Sequence, residues 1–336
     1  MSQKYKVVVL GDGGWGTALA LLNARKGNDV LLWSAFPEYA QVLNQKRINE
    51  KFLPGIQIPN EIQITSDLTK AVVFGEILVV AVPSQFLRNI LFKLKDFDLS
   101  RKILVSVAKG IENKTLARPS EVINSVLGSV NLVVLSGPSH AEEVARKIPT
   151  LVVVGSRNPK LSETVQTAFR DPWFRIYVQN DLVGMELGGA LKNVIAIGAG
   201  LCDGLGFGAN TKAALLSRGL LEITQLGVRM GANPNTFFGL AGLGDLVTTC
   251  ISEYGRNLRV GREIGQGKKL KEVLQGMEMV AEGVETARSA YQLAKRHGVT
   301  AAIITEIYKI LFEDKNPKQA MTDLMSREAH EEMRQY

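Results

Sequence analysis

Lys6-Val7-Val8-Val9-Leu10-Gly11-Asp12-Gly13-Gly14-Trp15-Gly16-Thr17-Ala18 is the stretch from which the fold reads outward. Its first part is a continuous apolar, β-branched run closed by glycine, the pattern of a parallel strand buried on both faces. Gly11 to Gly16 then fit G-x-G-x-x-G, and a helical pattern follows from Thr17 to Lys26 until Gly27-Asn28-Asp29 stop it. A second strand-like run, Val30-Leu31-Leu32-Trp33, comes next. This strand–turn–helix–strand setting is the one the glycine motif needs. The first glycine permits the tight turn, the second lets backbone approach a pyrophosphate, and the third allows helix to pack closely on strand. Free N–H groups and the positive end of the helix dipole would face the phosphates. Gly11, Gly13 and Gly16 are therefore expected to hold a dinucleotide.

Further apolar runs occur at 77–82, 103–107, 132–135 and 151–154, with helical patterns between most of them. Alternating strands and helices imply right-handed βαβ units and a Rossmann-type doubly wound sheet. Beyond about Asp181 the strand signal ends, and helical periodicity runs through 211–230, 284–297 and 303–312. The expected fold is α/β: a dinucleotide-binding Rossmann domain over 1–180, then an all-helical substrate-binding domain over 181–336.

The chain has 336 residues, 46% hydrophobic and 22% charged, which excludes disorder, collagen and small disulfide scaffolds. A net charge of +7 suits an anionic partner. Nucleic acid, a membrane surface and a phosphorylated metabolite all fit that charge, but no nucleic-acid recognition motif is present. Cys202 and Cys250 lack metal-ligand spacing, and no metal is expected. The N-terminus shows no signal-peptide pattern, and the apolar stretch 187–201, interrupted by Lys192 and Asn193, falls short of a membrane span. A soluble cytoplasmic protein is the expectation.

Candidate site residues cluster where strands end and where helices carry misplaced charge. The acid that reads the adenosine ribose belongs near the end of the second strand, but Ser34-Ala35-Phe36 stand there, so NAD and NADP both remain open; Glu38 and Arg47 are possible substitutes. Val82-Pro83-Ser84, Ser106 to Gly110 with Lys109, and Ser136-Gly137-Pro138-Ser139 each bring polar groups to the carboxyl edge of the sheet. Met185 to Gly200 reads as a buried helix with Lys192 and Asn193 at its centre. A buried lysine must be paired or neutralised. Lys192 is either a proton-transfer group or a structural partner of Glu186 or another carboxylate. Asp245, after a second glycine-rich turn, is an N-cap or that carboxylate. Arg256 and Asn257 offer a guanidinium fork and an amide suited to phosphate oxygens.

With these residues in place, the chain resembles the bacterial soluble NAD(P)-dependent sn-glycerol-3-phosphate dehydrogenase family. The likeness runs in order through Gly11 to Ala18, Asn49-Glu50-Lys51-Phe52-Leu53-Pro54-Gly55, Val82-Pro83-Ser84, Lys109-Gly110-Ile111-Glu112 and Ser136 to Ser139. It continues through Leu187 to Asn193, Gly204 to Asn210, Ala241 to Leu246, Arg256-Asn257 and Val280-Ala281-Glu282-Gly283. The resemblance implies that Lys192 is the proton acceptor, aided by Lys109 and Asp245. It implies that Lys109, Gly137, Ser139, Lys192, Asn193, Asp245, Thr249, Gly255, Arg256 and Asn257 hold glycerol 3-phosphate or dihydroxyacetone phosphate. Gly14, Trp15, Ala141, Val280 and Glu282, with Lys109 and Arg256, would contact NAD or NADP. A homodimer and a role in glycerophospholipid synthesis are implied too. The chain departs from the family at Ala35, often basic, and at Gly255, commonly serine. Competing readings are a dehydrogenase of a hydroxy acid or of 2-dehydropantoate, which needs a carboxylate clamp, and a dinucleotide sensor, which has no use for Lys192.

Overall fold

The computed structural model describes residues 3–277 and 279–328. Met1 and Ser2, and the end of the expected helical domain from 329, lie outside the described residues. The chain divides into two compact units, 1–109 with 119–182, and 110–118 with 183–336.

The first unit is built on ten strands: β1 (Lys6–Leu10), β2 (Asp29–Trp33), β3 (Ile48–Asn49), β4 (Leu53–Gln57), β5 (Gln63–Thr65), β6 (Ile77–Val80), β7 (Ile103–Ser106), β8 (Asn131–Ser136), β9 (Thr150–Gly155) and β10 (Phe174–Gln179). Eight form one sheet in the order β10-β9-β8-β7-β6-β1-β2-β5, while β3 and β4 pair separately. The order reverses between β1 and β6, as in a doubly wound sheet. From β5 to β8 every pairing is parallel, but β8 and β9 run antiparallel. Between those two the chain holds only the five-residue helix Ala141–Ala145, whose Ala145 carbonyl accepts from Arg25 at 2.7 Å. That segment stays beside the helix Gly14–Arg25 and does not cross back over the sheet, so β9 returns in the opposite direction. The long central runs of the sequence are the strands buried on both faces. By contrast β5 and β10 lie at the edges, where alternating polar residues break up the apolar run that marks a buried strand.

The second unit is helical among its described residues. The helix Leu182–Gly204 is buried all round from Gly184 to Cys202. At 23 residues it is long and apolar enough to cross a membrane, correcting the expectation of a stretch too short; 89% of its most apolar window is buried. The helix Arg256–Gly265 crosses it backbone to backbone. A Cβ on Gly200 would lie 2.0 Å from the Leu258 carbonyl oxygen, and one on Gly261 only 1.9 Å from that of Ile197.

The loop 110–118 belongs with this helical unit, which a single boundary near 180 did not anticipate. Arg118 pairs with buried Glu186 at 2.6 Å, Asn113 donates to Glu285, and Ser289 donates to the Ile111 carbonyl at 3.2 Å. Partners this far apart in sequence leave no local trace.

Candidate functional site

In the first unit the glycine motif is shaped by what a side chain would strike. Gly11 has φ +123°, and a Cβ there would sit 2.5 Å from the Ala81 carbonyl oxygen; on Gly16 it would lie 2.0 Å from the Gly11 oxygen. At Gly13 a Cβ would meet nothing within 4 Å. That residue precedes the helix Gly14–Arg25 and offers no side chain to cap it, so the first-turn N–H groups can take anionic oxygens. Asn49 braces the loop, donating to the Asp12 carbonyl at 2.7 Å and to the Thr17 hydroxyl at 2.8 Å. It also accepts from the Tyr39 hydroxyl and the Phe52 N–H. The sequence motif around Asn49 was visible, but this bracing was not. Two buried polar atoms here, Asp12 Oδ2 and Trp15 Nε1, have no hydrogen-bond partner among the described residues. Open space before an uncapped helix, with polar atoms awaiting partners, fits a bound dinucleotide.

At the end of β2, Ser34 is buried, while Ala35 and Phe36 are exposed. Glu38 is an exposed residue in the first turn of the helix Pro37–Lys46. Arg47 gives its guanidinium to the carbonyls of Pro59 and Ile62, at 2.7 and 2.8 Å. It is thereby committed to closing its own loop, which takes it away from any cofactor.

Strands β6, β7 and β8 lie side by side, with Val80 opposite Ser106 and Ser106 opposite Val134. Just past their carboxyl ends, Lys109 Nζ donates to the Gly137 carbonyl at 2.8 Å and to the Ser139 hydroxyl at 3.3 Å. Ser139 also donates to that carbonyl. Gly137, at φ +121°, permits the turn, and the Ala141 methyl lies 3.6 Å from where a Gly14 Cβ would stand. Thus Lys109, Gly137 and Ser139 form one cluster and Ala141 adjoins the glycine loop.

The second unit gathers the remaining candidates. Lys192, 5% exposed, donates to the carboxylate of Asp245, which is 1% exposed, and to the Thr249 hydroxyl at 2.6 Å. Thr249 donates in turn to the Asp245 carbonyl at 2.7 Å. Asp245 is therefore not an N-cap. A π-helical turn, Leu240–Gly244, runs straight into the helix Asp245–Ile251 with Gly244 already helical, which turns the carboxylate onto Lys192. Glu186, the other carboxylate on offer, pairs with Arg118. One residue beyond Thr249, burial pushes the Cys250 thiol up to about 12, leaving it without nucleophilic character.

Beside Lys192, Asn193 Oδ1 accepts from Asn257 Nδ2 at 3.0 Å, and Asn257 Oδ1 accepts from the Gly283 N–H at 3.0 Å. A Cβ on Gly283 would lie 2.6 Å from the Asn193 backbone carbonyl oxygen, so glycine is needed here. Arg256 donates to the Val280 carbonyl at 3.0 Å, and Glu282 opens the helix Glu282–Arg296. Gly255 precedes the helix Arg256–Gly265 without capping it. Lys192 with Asp245 and Thr249, Asn193 with Asn257, and Arg256 with Val280 are thus each joined by hydrogen bonds. This is a proton-carrying ammonium on a carboxylate, with an adjoining amide and guanidinium group able to hold an oxyanion.

Comparisons with known proteins agree with both halves. A model described as the NAD-dependent glycerol-3-phosphate dehydrogenase N-terminus matches residues 6–162, and the corresponding C-terminus model matches 181–322. A curated protein of Thermoanaerobacter sp. (strain X514), named glycerol-3-phosphate dehydrogenase (NAD(P)+), is 52% identical over 98% of this chain and 99% of its own. One of Chlorobium phaeobacteroides (strain BS1) with the same name is 48% identical over 98% and 99%. The crystal structure of glycerol-3-phosphate dehydrogenase from Coxiella burnetii superposes with a TM-score of 0.93 at 35% identity, covering 96% of this chain and 99% of that one.

Proposed function

Because the chain belongs to the NAD-dependent glycerol-3-phosphate dehydrogenase family, we propose that it interconverts dihydroxyacetone phosphate and sn-glycerol 3-phosphate with NAD(H) or NADP(H). The single observation that carries this reading is the buried pairing of Lys192 with Asp245 and Thr249. An ammonium held at the centre of an apolar helix can hand over and recover a proton at one substrate oxygen.

When bound, the reduced nicotinamide supplies the hydride that reaches C2. Lys192 then gives its proton to the C2 oxygen in reduction and takes it back in oxidation, so one group serves both directions. Asp245 and Thr249 keep the ammonium in one orientation. We assign Arg256 and Asn257, at the uncapped start of their helix, to the substrate phosphate, where guanidinium fork and helix N–H groups both favour anionic oxygens. Asn193 holds the Asn257 amide in register. With Gly255 in the preceding position, this anchoring proceeds without a hydroxyl. Lys109, with Gly137 and Ser139, is assigned to the substrate as a fixed positive charge for the developing alkoxide. The glycine loop, Trp15, Ala141, Val280 and Glu282 are assigned to the dinucleotide.

A cytoplasmic homodimer serving glycerophospholipid synthesis goes with this reading; light scattering on the purified chain checks the dimer. The activity itself is tested by following loss of NADH or NADPH absorbance on adding dihydroxyacetone phosphate. Consumption that depends on the substrate is expected, and none with either cofactor would reject the assignment.

A further inference from the structure

A carboxylate inside a loop built for phosphates is electrostatically out of place unless it faces something else. Asp12 is such a group, and it is buried, 8% exposed. Its surroundings place it: the side chain lies near Ser34, the residue just past β2, whose hydroxyl donates to the Phe36 carbonyl at 3.2 Å and accepts from the Phe36 N–H. Strands β1 and β2 end in register, Leu10 opposite Trp33, and the Gly11 N–H donates to the Trp33 carbonyl at 3.0 Å. Asp12 therefore leans from the end of β1 toward the tip of β2.

That tip is where doubly wound dinucleotide folds place the acid for the adenosine 2′-hydroxyl, or an arginine for a 2′-phosphate. Here the tip offers the exposed, uncharged Ala35 and Phe36, while the buried Ser34 hydroxyl is bonded to the Phe36 backbone. Arg47 is bound to its own loop carbonyls. Lys51 is the cation that acts on Asp12, and it is an exposed side chain lying over the Phe52 ring. Asp12 Oδ2 is buried without a hydrogen-bond partner among the described residues. Such an acceptor strongly prefers a ligand that brings a hydroxyl to one that brings more negative charge.

Resting on the dinucleotide reading of the glycine loop, we infer that Asp12 reads the adenosine ribose and selects NADH, with its free 2′-hydroxyl, over 2′-phosphorylated NADPH. The acid that this fold usually takes from β2 is supplied instead from β1.

The test is equilibrium titration of the full-length protein with NADH and NADPH, read by nicotinamide fluorescence and without substrate. The wild type should bind NADH at least about tenfold more tightly than NADPH, a difference of about 1.4 kcal/mol. In Asp12→Asn and Asp12→Ser, NADPH should tighten and that ratio should fall at least about fivefold. A wild type that binds NADPH as tightly as NADH, or a ratio unmoved in both folded Asp12 variants, overturns the assignment. Binding of neither dinucleotide by the wild type overturns the reading of the loop itself.

Discussion

Lys192 shows how far one residue can be read before its partners are known. A cation amid Leu187 to Leu201 is conspicuous in sequence because burial without a counter-charge is so unfavourable. Which carboxylate answers it is invisible there, since Asp245 lies 53 positions away. Glu186, on the same helix, looked eligible but is taken by Arg118. Two substitutions separate chemistry from support. Lys192→Ala should lower kcat about 10²–10⁴-fold, the usual span for a lost general acid–base, while NADH titration remains close to wild type. Lost dinucleotide binding would instead point to a structural lysine. Asp245→Asn takes the Asp245 carboxylate away from a buried ammonium and should cost about 3–5 kcal/mol in urea unfolding, together with most of the turnover. Undiminished turnover in that variant would remove Asp245 from the mechanism.

At the scale of elements, close helix crossing and helix capping govern the second unit. Gly261 sits against the Ile197 carbonyl, and Gly261→Ala would push the helix carrying Arg256 and Asn257 off the one carrying Lys192. We expect a loss of roughly 1–3 kcal/mol from overpacking, seen as a lower Tm, with a raised KM for the phosphorylated substrate. A second case is the helix Ala302–Phe312, which follows Ala301 and so has no side-chain cap of its own. Glu222, from the helix Ala209–Arg229, accepts from the N–H groups of Ile303 and Ile304 at 2.8 and 3.1 Å. Those bonds favour its anion, but burial outweighs them and lifts its pKa from 4.5 to about 7. The folded state thus binds the proton more tightly than the unfolded chain. Stability from this group is complete below about pH 4.5 and is lost as pH rises through about 7, on the order of 2–3 kcal/mol. Glu222→Gln should remove that slope, so its unfolding midpoint relative to wild type should improve from pH 5 to pH 8. Parallel pH profiles would show that Glu222 does not titrate in this window.

For the molecule as a whole, the division into two units is decided by contacts no local pattern announces. The loop 110–118 interrupts the first unit in sequence yet is held by Glu186, Glu285 and Ser289 of the second. Arg118→Ala would take away the guanidinium that pairs with buried Glu186, a loss of about 3–5 kcal/mol. Differential scanning calorimetry should show a lowered Tm, and an unchanged Tm would mean that the loop is not anchored through this pair. Legible in residue order alone are the first βαβ unit with its glycine loop, the switch from strands to helices near 180, and the presence of a costly buried lysine. Each rests on periodicity, on glycine geometry, or on the energy of one misplaced charge, all of them local quantities. Folding in three dimensions settles that β9 turns antiparallel, that 110–118 joins the helical unit, that Asp245 meets Lys192 while Arg118 meets Glu186, and that the Asp12 Oδ2 is left buried without a hydrogen-bond partner among the described residues. Those outcomes depend on which distant group arrives to satisfy a buried charge or hydrogen bond, and spacing along the chain carries no record of that.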